Sequence, residues 1–298
     1  MTTAFVLTGG GSLGAVQVGM LQSLADHEIA PDLLVGTSVG ALNATWVATH
    51  GMSAQSLEGL AQVWLTLRRQ EVFPLSLVSA WHGLRGSSPG LFSSAHLRDV
   101  ISTHAEGFSR IEDTDIALHI VTTNLLTGQN VTLSTGSLVD AVLASAAIPG
   151  IFPAVTLNGH YLVDGGVAHE TGVACAYRLG ADRIYLLPTG TPCALPKPPT
   201  TALGTAVHAL TLLIADRVAS DIGYLRDSVD IKVLPPLCPV QVSATDFSQA
   251  ATLIERARKA SSDWIDSGDI DLPAPERFLG AHDHTTDSPL GSLPRLDP

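Results

Sequence analysis

Three short segments of this chain carry residue types that could do chemistry together. The first is Gly36-Thr37-Ser38-Val39-Gly40, a G-x-S-x-G pattern centred on Ser38. A serine at a sharp strand-to-helix turn presents its hydroxyl as a nucleophile. Gly36 and Gly40 fit such a turn, because strand and helix approach closely there and the backbone is strained. The second segment is the loop Gly9-Gly10-Gly11-Ser12-Leu13-Gly14. Backbone N–H groups of glycines, helped by a following helix N-terminus, hold negative charge, whether a phosphate or the oxyanion of acyl transfer. The third is Asp164-Gly165-Gly166, whose glycines allow a tight turn that leaves a carboxylate projecting. Each segment alone also reads as an ordinary tight turn. Their order along one chain is what makes them informative together.

The glycine loop also satisfies G-x-G-x-x-G, the dinucleotide fingerprint. That motif needs an acidic residue at the end of the second strand, to hold a ribose hydroxyl. Here the strand ends in Gly36-Thr37-Ser38, and Asp32 lies at its beginning, at the wrong edge of a sheet. The nucleotide reading is therefore weaker than the acyl-transfer one. An α/β serine hydrolase triad runs Ser, then Asp or Glu, then His. His160, His169 and His208 follow Ser38, but no motif surrounds any of them, and surface or packing roles suit them better.

The elements that must position these groups follow from hydropathy patterning. Residues 4–8 read as a strand, 14–28 as a helix with Val18, Leu21 and Leu24 on one face, and 33–37 as a second strand after Pro31. This β-loop-α-β unit implies a parallel sheet with helices on its faces, and it brings the glycine loop and the elbow to the same sheet end. Further helices are expected over 54–68, 94–104, 137–147, 171–179, 202–222 and 246–265. Further strands are expected over 116–123, 130–133, 183–187 and 231–234. Asn158-Gly159 between two β-prone runs predicts a hairpin that delivers the chain to Asp164. Residues 191–200 hold four prolines and read as a linker that does not divide two cores. One domain over 4–272 is expected, with a disordered tail over 273–298. Two readings of 73–92 stand: a lid or substrate-contacting loop, through which membrane contact would occur, or a plain surface connection.

Composition narrows the partners. A formal charge of −12 argues against nucleic acid, and against charge-driven adsorption to an anionic membrane, so lipid contact would be apolar and local. Cys175, Cys193 and Cys238 show neither a disulfide framework nor metal-ligand spacing, which fits a reducing compartment. The first residues lack a basic leader, and the apolar stretch 201–215 is shorter than the roughly 20 residues of a membrane span. A cytoplasmic location, with peripheral membrane contact as an option, is the expectation.

In the order and character of these three segments the chain resembles the patatin-like phospholipase family, which uses a Ser–Asp dyad without histidine. Ala144-Ser145-Ala146-Ala147-Ile148-Pro149-Gly150-Ile151-Phe152-Pro153 is similar to the segment that precedes the family's aspartate. The resemblance spans roughly residues 4–190. It implies a three-layer α/β/α fold with a mostly parallel central sheet and hydrolysis of lipid carboxylic esters. Ser38 would be the nucleophile and Asp164 the general base. Gly10, Gly11 and Ser12 would offer oxyanion donors, with Gly9, Gly14, Gly36, Gly40, Gly165 and Gly166 shaping the motifs. No cofactor and no metal are implied. One departure is Leu13, where the family usually places Arg or Lys. It motivates an alternative, a catalytically weak or inactive protein of the same fold that binds lipid or acyl chains.

Overall fold

The computed structural model describes residues 1–73, 90–105, 107–195 and 197–279. Most of the segment 73–92, and the tail beyond residue 279, lie outside the described residues. Eight strands form one mixed sheet: β1 Thr3–Leu7, β2 Leu33–Thr37, β3 Ala117–Asn124, β4 Asn130–Leu133, β5 Val155–Leu157, β6 His160–Asp164, β7 Arg183–Leu187 and β8 Asp230–Val233. β3, β2, β1, β7 and β8 run parallel in that order, and β4, β5 and β6 complete the sheet by antiparallel pairing. β1 and β2 are apolar and buried along nearly their whole length, as parallel strands covered on both faces must be.

The helices are α1 Gly14–Asp26, α2 Val39–His50, α3 Ala54–Thr66, the single turn α4 Arg69–Val72, α5 Ala95–His104, α6 Leu138–Ser145, α7 Gly172–Arg178, α8 Ala202–Leu225 and α9 Ala250–Asp266. They cover both faces of the sheet and make a three-layer α/β/α structure. Residues of α1, α2, α3, α5, α6 and α9 build one core against one face. α7 and the C-terminal half of α8 build a second core against the other. Hydroxyl caps start several helices where the hydropathy pattern places them. Ser53 Oγ accepts the Ser56 N–H at 3.2 Å, and Thr201 Oγ1 accepts the Gly204 N–H at 3.0 Å. α9 begins at Ala250 rather than Asp246, because the Asp246 carboxylate closes a turn of its own by accepting the Ser248 N–H at 2.9 Å. α8 runs past residue 222 to Leu225, with Ile222 and Leu225 both packed into the second core. Cys193 and Cys238 come together in the fold, although they lie far apart in sequence. Cys193 Sγ accepts the Val240 N–H at 3.4 Å, and the two thiols interact directly.

One detail of the register positions the site. β4 pairs with Ile120 to Thr123 along one edge of β3. The other edge is shared end to end by two strands. β2 pairs in parallel up to Thr37↔Val121, and β6 pairs antiparallel from Asn124↔Leu162 down to Asp164↔Thr122. The chain that leaves at Ser38 and the chain that ends at Asp164 therefore meet head to head, on consecutive rungs of one strand.

Candidate active site

Ser38 sits at the turn from β2 into α2 with φ 55° and ψ −125°. A non-glycine residue in this region carries strain of about 1–3 kcal/mol, which the surroundings must hold in place. They do so at three points. A Cβ on Gly36 would lie 2.5 Å from Ala41 Cα, and one on Gly40 would lie 2.2 Å from Leu7 O, so strand, turn and helix are in backbone contact. The third restraint comes from Ser145 at the end of α6. Its Oγ accepts the Ser38 N–H at 2.8 Å and donates to Val121 O at 2.6 Å. Val121 is the rung where β2 ends, so the Ser145 hydroxyl fills the gap in the ladder between β2 and β6.

Asp164 arrives from the other side and is 1% exposed. Its N–H donates to Ala147 O at 3.0 Å, and its carbonyl accepts the Thr123 Oγ1 hydrogen at 2.8 Å. Its Oδ1 accepts the Gly166 N–H at 2.8 Å, and the Ser38 hydroxyl lies near enough to the carboxyl to favour its charged form. Burial pushes this carboxyl up from an ordinary 3.8 to about 6, against the opposing pull of the Gly166 N–H and the Ser38 hydroxyl. Of the two glycines that follow, Gly165 is required by proximity, since a Cβ there would lie 2.3 Å from Val121 O. One on Gly166 would lie 2.4 Å from Ile214 Cδ1, the movable end of a side chain. Among the described residues no histidine bonds to Ser38 or Asp164. His160 is exposed and bonds to Asn124 at 3.1 Å, and His169 is exposed.

The glycine loop lies beside the elbow: a Cβ on Gly9 would sit 3.1 Å from Ser38 Cβ and 3.8 Å from Ser38 Oγ. Thr189 and Ala244 grip the loop from opposite sides. A Cβ on Gly10 would meet Thr189 Oγ1 at 2.2 Å, and one on Gly11, at φ +59°, would meet Ala244 O at 2.3 Å. Ser12 departs from the role expected of it. Its N–H donates to Ala244 O at 2.8 Å and its Oγ to Ser243 O at 3.0 Å, so its amide is engaged away from Ser38. The N–H groups of Gly10 and Gly11 have no acceptor among the described residues. Leu13 is fully buried in the first core, so its side chain does not face the site at all.

A buried polar chain, which the sequence motifs do not include, fixes both ends of this loop. Gln17 Nε2 donates to Thr8 O and to Leu187 O, each at 2.9 Å. Asn43 Nδ2 donates to Gln17 Oε1 at 2.8 Å and to Gly14 O at 3.0 Å. Trp64 Nε1 in turn donates to Asn43 Oδ1 at 2.9 Å. The sequence signal for this network is a single amide in each of two otherwise apolar helical runs.

Ser38 opens onto a small apolar cavity lined among others by Val39, Trp64, Phe73, Phe152 and Phe247. Phe73 stacks on Phe152 with ring centroids 5.8 Å apart. A nucleophile, a carboxyl base, free backbone donors and an apolar cavity at one point suit attack on an ester that bears a hydrocarbon chain. No group of three or more His, Cys, Asp or Glu able to hold a metal occurs among the described residues.

The family model for patatin-like phospholipase matches residues 5–176, and the chain belongs to that family. Lysophospholipase NTE1 of Phaeosphaeria nodorum is 26% identical over 196 residues, which are 63% of this chain and 12% of that protein. Patatin-like phospholipase domain-containing protein 7 of Mus musculus is also 26% identical over 196 residues, 63% of this chain and 13% of that protein. This chain thus matches only about an eighth of the length of these curated relatives. Among solved structures, VipD from Legionella pneumophila aligns over 89% of this chain and 67% of its own, at 14% identity and a TM-score of 0.43.

Proposed function

We propose that the protein is a lipid acyl hydrolase that cleaves carboxylic esters through Ser38 and Asp164, with residues 4–272 as the catalytic unit. The observation that carries this reading is a strained elbow serine beside a buried carboxyl, at the mouth of an apolar cavity. Asp164 takes the proton of the Ser38 hydroxyl as Oγ attacks the ester carbonyl. The N–H groups of Gly10 and Gly11 accept the developing negative charge. The alcohol leaves with a proton returned by Asp164, and an acyl-enzyme remains with its chain in the apolar cavity. Water attacks the acyl carbon as Asp164 takes its proton, and Asp164 returns that proton to Ser38 Oγ as the acid leaves. A carboxyl near 6 is a better base at neutral pH than one near 3.8, yet still a modest one, so esters are cleaved ahead of amides.

Turnover of a nitrophenyl ester by the intact chain tests this. Ser38→Ala is expected to remove it. Full turnover in Ser38→Ala would exclude the reading. Acyl-chain binding without turnover in the unmodified chain would instead favour the binding protein of the same fold.

A further inference from the structure

α8 is long and apolar enough to cross a membrane by length and composition, yet its inner residues are packed on the sheet. Val218, Ile222 and Leu225 lie in the second core, and Leu203 and Val207 join the first. At its middle, Ile214 presses on Gly166, beside the Asp164 carboxyl. The helix leads into β8 at the amino ends of the strands. Its first half, about 18 Å at a rise of 1.5 Å per residue, therefore extends past the catalytic turn, beyond the carboxyl ends of the strands.

The outer side of that half is exposed at Ala202, Thr205, Ala206, Ala209, Leu212 and Leu213. Leu213 is 68% exposed and Leu212 is 47% exposed. No Asp, Glu, Lys or Arg lies between Lys197 and Asp216, and His208 is the one titratable side chain there. Val167, directly after the Asp164-Gly165-Gly166 turn, is exposed beside this helix, and Arg217 donates to the carbonyl of Ala168. Across the site, at the same end of the sheet, Leu125, Leu126 and Tyr161 are exposed where β3 ends and β6 begins. Six of the thirteen large apolar side chains exposed among the described residues thus lie at this one end, in two groups on either side of the site. Scattered apolar residues are normal on a surface, but a concentration around one opening marks an interaction site.

We propose that this rim, with the outer face of α8 as its main part, seats the protein on the surface of a zwitterionic lipid aggregate. The inference rests on the lipid-ester reading above, because the rim lies at the same end of the sheet as Ser38 and Asp164. Charge selects the occupant. The α8 half of the rim has no charged side chain to pair with a charged surface, and the chain as a whole, at −12, is repelled by an anionic one. Apolar side chains that enter the headgroup boundary need no opposite charge.

The test uses the full chain as Ser38→Ala, so that docking is read without turnover. Phosphatidylcholine vesicles are compared with vesicles containing added phosphatidylserine. Cosedimentation with phosphatidylcholine alone is expected, insensitive to salt and not strengthened by phosphatidylserine. Leu212→Ser with Leu213→Ser should weaken it about tenfold or more. Leu179→Ser, an exposed apolar residue at the opposite end of the molecule, should leave it unchanged. Unchanged partition of the double variant would overturn the proposal. So would binding that requires phosphatidylserine, or a dimer that Leu213→Ser converts to monomer, since the face would then serve a charged lipid or a second copy. Because docking is measured without turnover, its failure is distinct from a failure of the esterase reading.

Discussion

Asp164 is the base of the proposed chemistry, and its burial has a measurable consequence. Its folded pKa, about 6, lies above the ordinary 3.8. The stability it contributes is therefore fully present below 3.8 and is lost as pH rises through about 6. The charged carboxyl then costs the fold about 3 kcal/mol, in a group with no solvent to screen it. Asp164→Asn keeps an oxygen to accept from Gly166 and removes the charge. In denaturant unfolding at pH 8 it should be more stable than the unmodified chain by up to about 3 kcal/mol, and the gap should close by pH 4. Equal stability at both pH values would mean that the carboxyl is not desolvated as described.

At the scale of elements, the end-to-end meeting of β2 and β6 on one edge of β3 makes the site, and Ser145 completes the ladder between them. Ser145→Ala leaves both the Val121 carbonyl and the Ser38 N–H without a partner in a dry interior. It should cost about 2 kcal/mol of stability. It should also lower kcat by about 10- to 100-fold with little change in KM, because the elbow rather than the cavity loses its hold. The elbow, the glycine loop and the Asp-Gly-Gly turn were legible in the sequence because each is a local conformation with a local residue code. The shared edge of β3 was not, since it depends on register between β3 and two strands, one 84 and the other about 40 residues away in the chain. Nor were Gln17 and Asn43, which look like stray amides until the fold brings Thr8, Gly14 and Leu187 around them. Ser12 fits the glycine-loop pattern, but the segment after β8 takes its amide through Ala244, a contact that no local motif announces. Leu13 stands out as a departure in sequence, yet the fold turns its side chain into the core.

One end of the molecule gathers the groups of the proposed chemistry. Strand order brings the elbow, the glycine loop and the Asp164 turn to it, the apolar cavity opens beneath Ser38, and exposed apolar side chains lie at the same end of the sheet. The central claim is that Ser38 is a nucleophile activated by Asp164, and the most direct measurement is the rate of labelling by a fluorophosphonate as a function of pH, with the adduct located by mass spectrometry. A single adduct on Ser38 is predicted, at a rate that rises through pH about 6, the value to which burial pushes Asp164. Asp164→Asn is predicted to slow it about 100-fold or more and to remove the rise. Labelling at another residue, or an undiminished rate in Asp164→Asn, would contradict it.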